Sequence, residues 1–356
     1  MSSTFGEKIK ISVFGESHGQ GIGVVIDGLP AGEVIDLDAV LGQMARRAPG
    51  RDKTATPRKE NDLPEILSGI LGDTLTGAPL CAVIKNTNTR SQDYGDLLYK
   101  PRPAHSDYTA YVKYNAANDI RGGGHFSGRI TAPLVFAGAV CRQLLERKGI
   151  RIAAHIKQIG KAKDKSFDPV RVDTALMERL SASSFALIDE GAEEAMRAEA
   201  EEARLARDSV GGVIECAVTG LPAGIGEPMF DGAEGVIAKA VFGVPAVKGI
   251  EFGAGFKLAE MRGSEANDPF RFKDGRVVTE TNNCGGILGG ITDGMPLIFR
   301  AAIKPTPSIS LPQKTVDLQT GENTTLEIHG RHDPCIVPRA VPVIEAVTAI
   351  ALLDLM

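Results

Sequence analysis

The chain has 356 residues, 43% hydrophobic and 24% charged, with 41 glycines, no tryptophan and a formal net charge of −5. It lacks the basic excess of a generic nucleic-acid or membrane-surface binder, so any polyanionic ligand must meet a local cluster of cations. Five scattered cysteines without a CxxC pair argue against a disulfide framework or zinc site. The N-terminus has no apolar signal core, and the run PVIEAVTAIALLDLM (342–356) is too short and acidic to span a bilayer, so one cytoplasmic domain over 1–356 is expected.

In chain order, IKISVF (9–14) and IGVVID (22–27) predict β-strands on either side of GESHGQG. GESHG (15–19) fits G-x-S-x-G, which in serine hydrolases presents a nucleophilic serine on a strand-to-helix turn. Here Gly19, Gly21 and Gly23 follow, each weakening a helix by about 1 kcal/mol relative to alanine, which counts against Ser17 as a nucleophile. Asp36-Leu37-Asp38 predicts the cap of a helix through LDAVLGQMARRA, stopping at Pro49-Gly50. Residues 44–60 then place Arg46, Arg47, Arg51, Lys53, Arg58 and Lys59 against only Asp52 and Glu60, the basic island that the net charge requires.

EILSGIL and PLCAVIKNT predict strands, and the stretch from Asn86 to Gly124 is polar with little periodicity, which is uncommon in a compact domain unless functional. ITAPLVFAGAVCRQLLERKG predicts a mostly buried helix ending at Gly149, and RIAAHIKQIG a strand. Residues 189–208 predict a solvated helix, with Glu193 four residues before Arg197. GVIECAVTGLP and AVKGIEFGAGF return to strands, NNCGGILGG (282–290) is a glycine loop entering another, and the C-terminal run closes with a helix. GGGHFSGR and NNCGGILGG each precede an apolar segment, which hints at two similar halves, and the alternation of strands with buried helices suggests α+β layers.

Of six histidines, His155 lies inside a strand-like run and reads as structural. His18, His105, His125, His329 and His332 lie in glycine- or proline-punctuated loops, where catalytic groups tend to reside. No HExxH or paired-cysteine spacing exists, and Arg331 stands between His329 and His332, so no metal is expected. RGGGHFSGR (121–129) joins four glycines to a serine and two arginines, so backbone N–H groups and guanidinium forks can grip an anion at the start of a helix. It is not a P-loop, and GGILGG is too weak for a dinucleotide fingerprint. In GRHDP (330–334), Asp333 beside Arg331 reads locally as an ion pair holding a loop.

Four segments, FGESHGQGIGVVIDGLP, RPAHSDYT, RGGGHFSGRITA and GRHDPCIVPRAVPVIEA, together resemble the chorismate synthase family. TPRKENDLPEILSG, RSQDY and IKPTPSIS extend the likeness nearly end to end. The resemblance implies a β-α-β sandwich, a helical layer between antiparallel sheets with internal pseudo-two-fold halves. It also implies a homotetrameric lyase that converts 5-enolpyruvylshikimate-3-phosphate into chorismate and phosphate, using reduced FMN without net redox change. By matching, His18 is the acid for the departing phosphate, His105 the partner of the reduced flavin ring, and Asp333 with Ser17 a proton relay. Flavin contacts fall on His125, Phe126, Ser127, Pro245, Ala246, Gly289, Lys304, Pro305, Thr306, Pro307, Ser308 and Arg331. Substrate or NADP contacts fall on Arg46, Arg47, Lys53 and Arg129. His125 stands where many relatives have arginine, and the spacing around Lys53 departs from the usual one. No long insertion marks a self-reducing type, which favours an external flavin reductase over NADPH.

The chemistry suits these residues independently: a 1,4-elimination must neutralise leaving-group charge and find an electron-rich partner, which side chains do not offer and a reduced flavin does. A serine hydrolase would need a histidine and an acid orienting one another, and His332 and Asp333 are sequence neighbours that can hardly do so. A phosphate-binding module without catalysis would leave the loop histidines without a task.

Overall fold

The computed structural model describes residues 3–49, 62–87, 97–328 and 333–356. Strands β1 (Thr4–Phe5), β2 (Lys10–Gly15), β3 (Gly21–Asp27), β4 (Pro64–Ser68) and β5 (Leu80–Lys85) form one sheet in the order β1-β2-β3-β5-β4. Strands β6 (Arg151–Ile159), β7 (Ala162–Lys163), β8 (Gly212–Thr219), β9 (Val247–Phe252) and β10 (Leu297–Ile303) form a second, in the order β9-β10-β8-β6-β7. Every pairing in both is antiparallel. In β3, Ile22, Val24 and Ile26 are buried, as are Leu80, Ala82 and Ile84 in β5, the period-2 pattern that turns one sheet face inward.

Between the sheets lie α1 (Leu37–Arg47), α3 (Thr131–Glu146), α6 (Ala233–Phe242) and α7 (Val337–Leu355), while α2 (Asp107–Lys113), α4 (Thr174–Ala182) and α5 (Glu193–Leu205) lie elsewhere along the chain. Asp36 caps α1 through its side chain, which accepts the Ala39 N–H at 2.9 Å. Helix α3 packs on β3 and α7 on β6 and β8, so the layers run sheet, helices, sheet. The two long helices cross at Gly138, where a Cβ would lie 2.3 Å from Ala346 Cα; only glycine lets them approach so closely. One continuous buried cluster runs through both sheets and the helices between them.

The halves correspond element by element: β3-α1-β4-β5-α3 is matched by β8-α6-β9-β10-α7, with β3-β5-β4 and β8-β10-β9 in like order. The correspondence differs from the one the glycine motifs suggested. NNCGGILGG leads into strand β10, whereas GGGHFSGR leads into helix α3, whose counterpart α7 follows residues 333–336.

Across the second sheet, His155, Glu215, Arg300 and Glu251 stand opposite one another on β6, β8, β10 and β9, a cross-strand row of alternating charge. Both ring nitrogens of the wholly buried His155 meet carboxylates, Nδ1 with Asp164 and Nε2 with Glu215, each at 3.0 Å. The structural reading of His155 therefore holds. Helix α5 turns Met196 and Ala200 inward, and the rest of it faces solvent or is half-buried. Among the described residues no helix is long and apolar enough to cross a membrane.

Candidate active site

A cavity of ≈ 1260 Å³ opens where equivalent positions of the two halves meet. Its wall takes Arg47 from the last turn of α1 and Lys239 to Val247 from the end of α6. It takes the glycine loop from the start of α3, and Asp333 with Arg339 from the start of α7.

The glycine loop sets the positions of two histidines. Gly122, Gly123 and Gly124 all have positive φ (60°, 86° and 54°), so the chain folds tightly enough to lie against an imidazole on each side. A Cβ on Gly122 would lie 2.2 Å from His18 Nδ1 and 2.8 Å from Ser17 Oγ; one on Gly123 would lie 3.4 Å from His105 Nε2. Gly122 and His105 form part of the cavity wall, and Ser17 and His18 are buried against Gly122. The Ser17 N–H donates to Gly124 O at 3.1 Å, fixing the GESHG turn to the loop. That turn joins two antiparallel strands, β2 and β3, so the strand-to-helix elbow of a hydrolase is missing.

His125 is held by its ring: Nδ1 donates to Gly15 O and Nε2 accepts from Ser3 Oγ, both at 2.7 Å, a pairing that assigns the proton to Nδ1 because a carbonyl only accepts. His125, Phe126, Ser127, Pro245, Ala246, Lys304, Thr306, Pro307 and Ser308 all line the cavity, as do Arg47, Arg129 and Asp333. Pro305 lies within the 304–308 segment but packs toward Gly211. Arg46 points away from the cavity; its guanidinium pairs with Glu345 at 2.5 Å and donates to Ser183 O and Leu180 O. Gly289 sits in the two-residue turn between the short strands Ile287–Leu288 and Ile291–Thr292, outside the wall. Lys53 and Arg331 lie outside the described residues, as do His329 and His332.

Several residues that organise the site were not singled out from the sequence. Asp62, buried, receives Arg47 Nη1 at 2.5 Å on one oxygen and Arg129 Nη1 at 2.7 Å on the other. Burial, then the neighbouring Arg339 charge, lower the Arg47 pKa to about 10, with Asp62 opposing, so Arg47 stays charged at neutral pH. Asn86 donates to Glu16 O and Gly19 O, both at 2.9 Å, and accepts from Arg129 Nε at 2.5 Å, tying the GESHG turn to the arginine. Asp333 pairs with Arg339 at 2.5 Å, and Arg339 Nε donates to Arg47 O at 3.1 Å. Asp333 thus has an ion-pair partner six residues later, while the pairing with Arg331 expected for the GRHDP loop lies outside the described residues.

Electrostatically the wall is one-sided. Among the described wall residues eight are basic (Arg47, Arg102, Lys113, Arg129, Lys239, Lys248, Lys304 and Arg339) and one, Asp333, is acidic. Ile11, Val13, Leu134, Val343, Val347 and Ile350 give the same cavity an apolar strip. A single drug-sized ligand fills about 300–1,000 Å³. The volume, the apolar strip and the cations together fit a flat aromatic ring beside a small polyanion, which is the donor set a flavin and a phosphorylated acid require.

The sequence profile of the chorismate synthase family matches residues 9–356. The chorismate synthase of Dehalococcoides mccartyi is 50% identical over 355 residues, covering 100% of this chain and 96% of that protein. That of Thermococcus kodakarensis is 49% identical over 349 residues, covering 98% of this chain and 96% of the other. A crystal structure of chorismate synthase superposes with a TM-score of 0.77 at 27% identity, over 98% of this chain and 92% of that one.

Proposed function

Because the chain belongs to the chorismate synthase family, we propose that its cavity takes 5-enolpyruvylshikimate-3-phosphate beside reduced FMN and releases chorismate and inorganic phosphate. The reaction is the 1,4-elimination of the shikimate pathway: a ring C–O bond to phosphate breaks, a ring C–H bond breaks, and no net oxidation occurs. The observation that carries the reading is the wall of eight cations against one carboxylate, an excess that Asp62 and Asp107 behind the wall reduce to five, with two imidazoles set on consecutive glycines. Two carboxylates and a phosphate on the substrate need that excess, and their burial without it would be prohibitive.

Reduced flavin, when bound, supplies the electron-rich partner that the cleavage of an unactivated ring needs. His18 donates a proton to the departing phosphate oxygen, held at its station by the backbone of Gly122. Arg47 and Arg129, fixed by Asp62, stabilise the charge that develops on the leaving group. His105, set against Gly123, would hydrogen-bond the flavin ring. Asp333, kept in place by Arg339, collects the substrate proton, with Ser17 as the relay. His125, Phe126, Ser127, Pro245, Ala246 and the 304–308 segment would bear on the flavin, together with Arg331, and Lys53 would extend the basic segment; Gly289, outside the wall, and Arg46, turned to Glu345, take no part.

The same reading includes a single domain over 1–356, a homotetramer in the cytoplasm and flavin reduction by an outside reductase rather than by NADPH. Phe230, Phe256 and Phe272, each more than four-fifths exposed, favour self-assembly. The deciding experiment is an anaerobic assay with the enolpyruvyl substrate. Phosphate release with chemically reduced FMN is expected, and none with oxidised FMN plus NADPH. Silence with reduced FMN overturns the reading.

A further inference from the structure

The turn that carries His105 is built around a buried ion pair. Arg102 Nε donates to Asp107 Oδ2 at 2.7 Å and Nη2 to Asp107 Oδ1 at 2.8 Å, with the Arg102 backbone N–H reaching the same carboxylate at 3.0 Å. Both side chains are almost fully buried. The third arm, Nη1, donates to Ser308 Oγ at 3.1 Å, and Lys304 Nζ donates to Ala104 O, so the turn and the 304–308 segment hold each other. His105 Nδ1 lies 2.6 Å from Asp107 Oδ1.

We infer that Asp107, locked by Arg102, is the positioning residue for His105: it keeps the proton on Nδ1 and so makes Nε2, beside Gly123 on the cavity wall, the atom offered to the bound ring. The assignment follows from what each partner can do. Burial alone would raise Asp107, but the hydrogen bonds from Arg102 and His105 outweigh it and hold the carboxyl well below the usual range. An ionised carboxylate only accepts, so at 2.6 Å it must face an N–H and not a lone pair. Arg102 Nη2 has a second N–H and stands 3.2 Å from Nδ1, and Ser106 Oγ lies 3.4 Å away, but the carboxylate is nearer than either, and a ring lone pair facing an anionic oxygen at 2.6 Å would be repelled. The arrangement is an imidazole oriented by an acid, the half of a hydrolase triad that sets the tautomer.

The charge of Asp107 has a second effect. Burial, Arg102 and Lys304 all push the His105 imidazole below its ordinary value, and Asp107 alone among these neighbours opposes them. Nε2 donates a hydrogen bond only in the doubly protonated ring, so Asp107 sustains the donor form. This part rests on the reading that His105 serves the reduced flavin.

Nitrogen-resolved NMR of the wild-type protein, with His105 assigned by its loss in His105→Gln, tests the positioning directly. The neutral ring is expected to carry its proton on Nδ1; a proton on Nε2 overturns the inference, a result read from the wild-type protein with His105→Gln serving only to assign the signal. In turnover with reduced FMN, Asp107→Asn is expected to lower kcat by about 10- to 100-fold and to move the alkaline limb of the pH profile to lower pH. Asp107→Glu, which keeps the charge, is expected to return the limb toward its wild-type position. In a His105→Ala background, Asp107→Asn should add less than about twofold; an equal loss in both backgrounds, or an unmoved limb, overturns it. Full activity of His105→Ala would instead sink the flavin reading and leave the proton assignment standing, so the two failures are distinguishable.

Discussion

Gly122 lies flat against the imidazole of His18, so close that a methyl group on its Cα would sit 2.2 Å from Nδ1. The contact turns a glycine into a gauge for the acid. Gly122→Ala meets both that clash and a φ of 60°, and the ring must move. Turnover is expected to fall by about 10²-fold or more, near the loss from His18→Ala, because a displaced proton donor is as good as a missing one. The double variant should be no worse than the worse single. Independent, multiplying losses would show that the glycine acts elsewhere.

On the proposed roles, His18→Ala and His105→Ala should each reduce kcat by about 10²- to 10⁴-fold while the thermal midpoint changes little, since one ring is assigned proton donation and the other a hydrogen bond to the flavin rather than core packing. Ser17→Ala should slow phosphate release without abolishing it, as befits a relay; complete loss together with covalent labelling at Ser17 would restore the nucleophile reading.

Asp62 stands between the buried Arg47 and Arg129, receiving one on each carboxylate oxygen and offsetting their mutual repulsion. Asp62→Ala leaves two buried guanidinium groups facing one another. A loss of about 3–5 kcal/mol in urea unfolding is expected, the usual effect of removing one member of a buried ion pair. A change under 1 kcal/mol would mean that the arginines find new partners.

His155 gives stability a pH dependence of known sign. Burial by itself would lower its pKa, yet the hydrogen bonds to Asp164 and Glu215 outweigh it and raise the ring above its ordinary 6.5. A raised folded-state pKa means that the native state binds the extra proton, so this contribution is complete below about pH 6.5 and fades as pH climbs through the folded value. Urea unfolding from pH 6 to 9 should show wild-type stability falling with pH, and His155→Gln, less stable throughout, should lack that slope. Parallel curves would refute it.

Much of the scaffold was legible because it is periodic or punctuated. Ile22, Val24 and Ile26 alternate as an inward strand face must, Asp36 announces the start of α1, and Gly149 marks the stop after α3. The loop histidines were legible as candidates because glycine or proline punctuates the segments around them. What stayed hidden was pairing at a distance. Asp62 meets Arg129 across 67 positions and Asn86 meets it across 43, and no local pattern encodes such contacts. Arg46 and Arg47, adjacent in the basic island, part company because neighbours on a helix point about 100° apart: one turns to Glu345, the other to the cavity. The seven-residue helix α2 was lost in the polar stretch from Asn86, being too short to show a period, although the RPAHSD run within that stretch carries the Arg102–Asp107 pair. The charge row through His155 left a faint trace, a single charged residue inside each of the otherwise apolar β8 and β10 and one of several in β6 and β9, which only the register joins.

The matching of β3-α1-β4-β5-α3 with β8-α6-β9-β10-α7 carries a consequence for origin. Two copies of a half-length ancestor, paired head to head, would enclose a pocket with twin lobes before either held a catalyst. In this chain the two lobes are unlike, one holding three successive glycines and the other an aspartate–arginine couple. Matched in frame and different in lining, they suit the two unlike molecules that the proposed function asks one cavity to hold at once.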